Sequence, residues 1–575
     1  GQGPFEVEHH QLLECYEVIL RARVELHKQT NRSSDKLLLE QQDAVSQALG
    51  YEDADLLMTD VSAAARRISW NIDELCYVIE NAGLSGVWNF GRKVGDTITG
   101  KRRPVSSTWA SDSEITAEKV LRIALRTAKN KERFSPELIT RLREAELAIP
   151  DPWTDEIRQL FIDLLLVGHD AIPVFETLDQ LDLFVPFLPE WKPARSRPQR
   201  NAYHRFTVDR HLLETAAEAS KLVDRVKRPD LLVVGALLHD IGKPYPGDHT
   251  EVGVELIKTI GRRMGFNKAD IRTLIGMCEH HLLLPDIATR RDLDDFDTIQ
   301  TVGNLLTTVE SVRLLHALTE ADSIATGPAA WSTWKAGLVQ DLANRTSSYL
   351  EGGAGSIIER TFPTPEQLQM MRRGMMKVEG NTDRLTIMEI DRPAVFGRVA
   401  GALSLCGLDV LEAIAHTEYG MVLAMFRVAP NTTKDIDWDS VGAFVQDSVR
   451  GRVAIAARLA ERMKTYSFQL SQQFPDRVVD TDVKIDNETS STATVIEVSA
   501  PNGMGLLYQI TRALSSLDLN ILSAKVQTLG SDVVDSFYVL DNDGKKIDNK
   551  SHAEEVKQAL KYAIESSTVM TGIKA

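Results

Sequence analysis

At 575 residues the chain exceeds what one hydrophobic core organises, and roughly three to five domains are expected. Its 43% apolar and 26% charged residues are ordinary for soluble globular protein, and a net charge of -16 argues against DNA, RNA or an anionic membrane as general partners, since each needs a basic face. Four scattered cysteines (Cys15, Cys76, Cys278, Cys406) without CxxC spacing suit a reducing compartment. No apolar run nears the roughly 18 residues that span a bilayer, and the opening Gly1-Gln2-Gly3-Pro4 carries no targeting pattern, so a cytoplasmic location is expected.

From about Glu6 to Asn81 apolar residues recur at three- and four-residue steps (Leu12, Leu13, Tyr16, Ile19, Leu20), which predicts helices. The basic run within Arg21–Arg32 reads as a solvated helix face. Gly83 to Thr116 reads as irregular with short β-like pieces, and helices are predicted again at Ala117–Lys129, Pro136–Glu146 and Thr154–Leu166. These first residues show no chemical motif and read as scaffold. Pro186, Pro189, Pro193 and Pro198 mark a connection; Ser347 to Phe362, with Gly352-Gly353-Ala354-Gly355, reads as a linker.

The last 190 or so residues hold an internal repeat. A displacement of 111 positions sets Ala402-Leu403-Ser404 on Ala513-Leu514-Ser515 and Leu408-Asp409-Val410 on Leu519-Asn520-Ile521. Each copy predicts a strand (Leu385–Ile390; Thr494–Ser499), a short turn, an amphipathic helix and further strands. Turns are expected at Gly530-Ser531 and Asp541–Gly544, and a final helix at about Ala553 to Ser566. The pattern is that of a βαββαβ α+β sandwich, helices on one face of an antiparallel sheet, repeated in tandem.

Between these regions runs the chemistry. Of thirteen histidines in the chain, six fall between His211 and Asp322, and five join acids in the order His211, His239-Asp240, His249, His280-His281, Asp322. His316 is most simply a helix residue. The run Leu231 to Leu238 is apolar all round, a buried helix that ends at His239-Asp240. Ionisable groups in that position are costly unless paired or bound to a cation. One histidine alone would be read as a satisfied core residue; imidazoles and carboxylates in this order point to a divalent metal and phosphoester hydrolysis. Lys243 follows one helical turn after His239, where an ammonium meets a phosphate oxygen.

That order resembles the HD phosphohydrolase superfamily. Thr207-Val208-Asp209-Arg210-His211, Ala236 through Lys243, Gly247-Asp248-His249-Thr250-Glu251, His280-His281-Leu282-Leu283 and Leu318 through Asp322 look like one subgroup of it. This is the bifunctional uridylyltransferase/uridylyl-removing enzyme family, which modifies and demodifies the PII signalling protein of nitrogen regulation and ends in two glutamine-sensing ACT domains. The resemblance implies a helical region at 1–175 that follows a nucleotidyltransferase core not found in this sequence. It further implies an all-α HD domain at 176–360 and ACT domains at 381–466 and 490–575.

The resemblance also implies a function: metal-dependent removal of UMP or AMP from a tyrosine of PII, with Mn, Mg or Fe as one or two ions. His211, His239, Asp240 and Asp322 would hold one ion. His249, His280 and His281 are left for a second ion bridged by Asp240, or, for the last two, for substrate contact. Lys243 would stabilise phosphoryl charge. Glutamine is expected at the helix starts, Asp391, Ala394 and Phe396 in the first copy and Asn502, Gly505 and Leu507 in the second. Asp409 and Asn520, one strand on, would receive its amino group. Either repeat is also compatible with a packing module or homo-oligomer contact. The first copy carries Asp391-Arg392-Pro393-Ala394, where the family's usual turn ends in glycine.

Three other readings compete. A (p)ppGpp hydrolase also joins an HD domain to ACT regulation but has a Glu-Asp pair where Ile241-Gly242-Lys243-Pro244 stands. A cyclic-dinucleotide phosphodiesterase shares the ligand order but lacks Leu282-Leu283-Leu284-Pro285 after its double histidine. An amino-acid-sensing scaffold with a decayed HD fold is the non-enzymatic choice, and the complete ligand set argues against decay.

Overall fold

Helix starts in this chain are written by single polar residues. Thr116, Ser135 and Thr154 each accept the N–H three residues on, and Asp248 and Asn267 each accept two N–H groups of the following turn. The computed structural model of the chain describes residues 4–81, 103–104, 115–199, 205–291, 293, 295–327, 330–352, 362–392, 394–430, 435–470, 481–490, 492–501, 503–529 and 532–570. Two units account for them: Gly1–Leu282 with Glu310–Trp331, and Leu283–Val309 with Ser332–Ala575. The described residues within 283–309 and 332–352 group with the C-terminal sheet. Among the described residues, no helix is long and apolar enough to cross a membrane.

The first unit is helical. Helices α1 (Pro4–Thr30), α2 (Leu39–Leu49) and α3 (Ala54–Asn81) bury Ala22, Leu26, Val45 and Leu57 between them. Then come α4 (Ala117–Lys129), α5 (Pro136–Arg143) and α6 (Asp155–Leu166), close to the predicted bounds, and α7 (Ile172–Gln180), which was not predicted. Two-residue strands β1 (Arg103–Pro104) and β2 (Glu132–Arg133) pair in parallel. Apart from β1 and Ile115-Thr116, the predicted irregular stretch 83–116 lies outside the described residues.

The proline-marked connection is not loose. Pro189–Ala194 forms a 3-10 turn, and Phe187 and Trp191 are fully buried with Phe161 and Phe184, Trp191 meeting Phe184 edge-on at 4.9 Å. This aromatic core backs α8 (Val208–Ala219) and α9 (Pro229–Leu238). Every residue of α9 from Leu231 to Leu238 is buried, as its unbroken apolar run requires. Helices α10 (His249–Arg263), α11 (Lys268–Glu279) and α14 (Val309–Thr326) complete the unit.

The second unit is organised by one eight-stranded antiparallel sheet of order β3-β4-β6-β5-β9-β10-β8-β7. The strands are β3 (Lys377–Asn381), β4 (Arg384–Ile390), β5 (Leu408–Glu418), β6 (Met421–Pro430), β7 (Asp482–Asp486), β8 (Thr494–Pro501), β9 (Asn520–Leu529) and β10 (Asp532–Leu540). The repeat is real: α17 (Val395–Leu405) and α20 (Leu506–Ser516) occupy equivalent places, and β5 pairs with β9 from Glu412–Gln527 to His416–Ser523, fusing the copies. The predicted sheet with helices on one face is present, but each copy runs ββαββα. Its edge strand precedes the copy (β3, β7) instead of following it, because a hairpin at each start already fills that edge.

Helices α18 (Trp438–Val449), α19 (Ile455–Leu470) and α21 (Lys550–Met570) join α17 and α20; residues of α17, α18, α20 and α21 share one apolar core with the sheet. Against the sheet's other face, Lys525 of β9 is buried and donates to the carbonyls of Ala288 and Arg291. These belong to the C-terminal end of α12 (Leu283–Arg290), a position that favours a cation. Helices α13 (Phe296–Leu306), α15 (Thr333–Gly352) and α16 (Pro365–Arg372) lie in the same unit. Helix α15 carries the chain to Gly352, so the first six residues of the predicted linker are helical, and 353–361 lie outside the described residues. The turn predicted at Gly530-Ser531 also lies outside them.

The two repeat helices start alike. The residue before α17 is Ala394 at φ +69°, and the one before α20 is Gly505 at φ +74°. Glycine takes this left-handed conformation freely, whereas alanine is strained by its Cβ. Ala394→Gly is expected to stabilise the C-terminal unit by about 1 kcal/mol, read as a higher urea midpoint; an unchanged or lower midpoint would contradict this helix start.

Candidate metal centre

The apolar helix α9 ends at His239, and the turn that follows places Asp240 beside it. His211 comes from the first turn of α8, and His249 is the first residue of α10, set by the Asp248 cap. His281 follows the end of α11. Asp322 lies inside α14.

Asp240 joins two groups. Ligand atoms of His211, His239 and Asp240 lie within 4.8 Å of one another, as do those of Asp240, His249 and His281. Its two oxygens divide the work: Oδ2 lies 3.3 Å from His239 and 3.8 Å from His211, while Oδ1 lies 3.6 Å from His281 and 4.0 Å from His249. Asp322 Oδ1 completes the first group at 3.0 Å from His211 and 3.4 Å from His239. His280, half-buried at the end of α11, joins neither group among the described residues.

Ring orientation is fixed from behind. Nδ1 of His239 donates to the Ala236 carbonyl at 2.8 Å, and Nδ1 of His281 to the Cys278 carbonyl at 2.7 Å, so both present Nε2 to the centre. Burial would push His239 down, yet the carboxylates of Asp240 and Asp322 override it and hold it up at about 10. Burial likewise opposes ionisation of Asp240 and Asp322. Lys243 and His239 for the former, and His239 and His211 for the latter, keep both well below the usual carboxylate range. His281 is pushed down by burial, and the Cys278 thiol is pushed up to about 12 by burial and the nearby Asp240 charge.

The donor set fits a divalent cation. His239 Nε2 and Asp240 Oδ1 are buried and make no hydrogen bond, only the ion contacts given above. Buried polar atoms in that state call for a partner, and a cation satisfies several at once. Lys243 Nζ lies 2.6 Å from Asp240 Oδ2 and donates to Gln199 Oε1 at 2.8 Å.

Two contributors had no voice in the sequence reading. Gly242 has no side chain because α10 passes against it: a Cβ there would stand 2.0 Å from the His249 carbonyl oxygen and 2.7 Å from Gly253 N. Its place two residues after Asp240 was the available signal. Gln199, which holds Lys243, lies forty-four residues away and gave none.

The expected glutamine residues group across the two repeats. Asp391, Ala394 and Phe396 of the first copy and Asn520 of the second line one cavity of about 370 Å³. Asp409 of the first copy and Gly505 and Leu507 of the second line another of about 40 Å³, with Ser404 and Asp535. Asn502 lies outside the described residues.

Comparisons with known proteins agree with this anatomy. The HD domain family matches residues 208–327, the GlnD PII-uridylyltransferase family matches 6–76, and the ACR9-like, ACT-like domain family matches 482–571. A bifunctional uridylyltransferase/uridylyl-removing enzyme of Streptomyces coelicolor is 34% identical over 93% of this chain and 72% of its own length. Proteins of the same name from Mycobacterium tuberculosis (33% identical, 91% of this chain, 67% of theirs) and Rhodopseudomonas palustris (26%, 96% and 69%) are also similar. At this identity and coverage, the chain belongs to the bifunctional uridylyltransferase/uridylyl-removing enzyme family.

Proposed function

We propose that this chain removes UMP from the modified tyrosine of a PII signalling protein by metal-dependent hydrolysis, with glutamine as effector. The observation that carries the reading is the Asp240 carboxylate, buried and turned by its two oxygens toward two separate imidazole groups. The names of the relatives supply the nucleotide and the reaction, uridylyl removal, and one matching family's name supplies PII.

His211, His239, Asp240 and Asp322 would hold one divalent ion, and Asp240, His249 and His281 a second. Such ions polarise the phosphoryl group and activate water. The Nδ1 bonds of His239 and His281 keep Nε2 aimed inward throughout. Lys243, tethered by Gln199, offers its ammonium to the phosphoryl oxygens as charge develops. His280, outside both groups, serves as a substrate contact. One water is consumed: its oxygen ends on the phosphorus of UMP, the bond from phosphorus to the tyrosine oxygen breaks, and the phenol recovers a proton.

For glutamine, the 370 Å³ cavity is the site. First-turn N–H groups of α17 meet the carboxylate, and Asp391 and Asn520 meet the ammonium or amide. The other cavity, at about 40 Å³, is far smaller.

Asp240→Asn is expected to slow UMP release from uridylylated PII by on the order of 10³-fold with an unchanged circular dichroism spectrum; a wild-type rate would remove the assignment. Chelation should stop release, and Mn(II) or Mg(II) should restore it. Gly242→Ala should lower the Mn(II) bound per chain, measured by elemental analysis, because the His249 backbone must retreat; full loading would show that the approach is not needed. In equilibrium dialysis, Asp391→Ala and Asn520→Ala should each weaken glutamine binding by about tenfold, and Gly505→Ala should not; the reverse pattern would move the ligand to the smaller cavity.

A further inference from the structure

Among the described residues outside the ligand set, a well-connected ionic cluster of the first unit centres on Arg66 of α3. Its guanidinium bonds to both carboxylate oxygens of Glu176, with one partner at 2.8 Å, and lies 3.1 Å from Asp179 Oδ2. Its Nη1 donates to Asp209 Oδ2 at 2.8 Å. Asp209 is 1% exposed, and its two oxygens also accept from Ser196 N (2.8 Å), Thr207 Oγ1 (2.5 Å) and Arg210 N (2.9 Å). It stands in the first turn of α8, two residues before His211, whose own N–H closes the first helical bond onto Thr207.

We propose that Arg66 is a positioning residue for the metal centre: through Asp209 it fixes the first turn of α8 and with it the placement of His211. The inference rests on the metal-centre reading above. A planar fork carries five N–H donors spread over three nitrogens at fixed angles, whereas a lysine ammonium carries three on a single atom. With Arg66 in place, Asp209 stays buried while holding Thr207 and Arg210 at the α8 start and Ser196 of the preceding turn. With the fork lost, Asp209 seeks water, the turn rotates, and His211 Nε2 leaves its 3.0 Å approach to Asp322. The orientation of α3 thereby becomes a condition of ligand geometry, although α3 contributes no ligand.

The test is titration of the full chain with Mn(II) alone, following free Mn(II) by electron paramagnetic resonance, with melting temperatures recorded in parallel. Partners that orient a ligand without touching the metal typically change metal affinity by about 10–100-fold. Arg66→Lys and Asp209→Asn, which keep most of the side-chain volume, are each expected to weaken Mn(II) binding at least about tenfold. Arg133→Gln removes a different ion pair of α3, the 2.6 Å contact to Glu74, and is expected to change Mn(II) affinity less than about twofold even where it lowers the melting temperature. Wild-type affinity in both Arg66→Lys and Asp209→Asn, with Asp240→Asn losing the metal, overturns the positioning role and leaves the centre standing. Equal weakening in Arg133→Gln also overturns it, because the effect is then general loosening. Wild-type affinity in Asp240→Asn overturns the metal centre itself and the inference with it.

Discussion

An ionised carboxylate at the end of a buried helix is the constraint from which the centre follows. Asp240 is 2% exposed, and α9 behind it has no polar side chain among its buried residues. Its charge is tolerable because His211, His239, His281 and Lys243 surround it, His239 and Lys243 from its own stretch of backbone and the other two from α8 and the end of α11. Four helices must therefore converge at one point: α8, α10, α11 and α14 each end, begin or pass beside the end of α9. The aromatic core of Trp153, Phe161, Phe184 and Trp191 gives that convergence a rigid backing, since close-packed rings leave little room for a helix to shift.

A second layer of charge stands behind the first. Arg66, Asp179, Asp209 and Arg195 form a chain of ion pairs, with Asp179 held by both arginines and Arg195 also bonding to the Asp179 carbonyl and Asp182. In the other unit the same device recurs at a smaller scale: Glu412 of β5 takes two bonds from Arg427 and one from the Ser332 hydroxyl at the start of α15. In both places a buried carboxylate gathers separate backbone segments, and the geometry is set by saturation of its lone pairs.

Much of this was legible in the sequence, and the reason is adjacency. His239-Asp240 and His280-His281 are neighbours in the chain, and the apolar run before the first pair announces a buried helix end. The repeat was legible because helix and strand recur at one fixed displacement. What escaped is what links distant residues. Arg66 and Asp209 are 143 positions apart, and one arginine on an otherwise amphipathic helix carries no periodic signal of its partner. The first 170 or so residues thus read as inert scaffold, although Arg66 of α3 bonds to Asp209 in the first turn of α8. Local composition misled in one place: glycines at 352–353 suggested a linker from Ser347, yet packing keeps α15 helical through Gly352. His280 shows the limit of adjacency itself, since alternate placement around the end of α11 sends its neighbour His281 inward and leaves it outside.

The unequal cavities of the fused sheet bear on how an effector would be read. Duplication of a sensing fold usually suggests two receptors and a steep, switch-like response. Here one cavity is about 370 Å³ and its counterpart about 40 Å³, and with the effector in the larger alone a single chain has no second occupancy for the first to assist. Its response to rising effector would follow plain hyperbolic saturation, graded across a wide concentration range, and steepness would have to come from elsewhere in the signalling circuit.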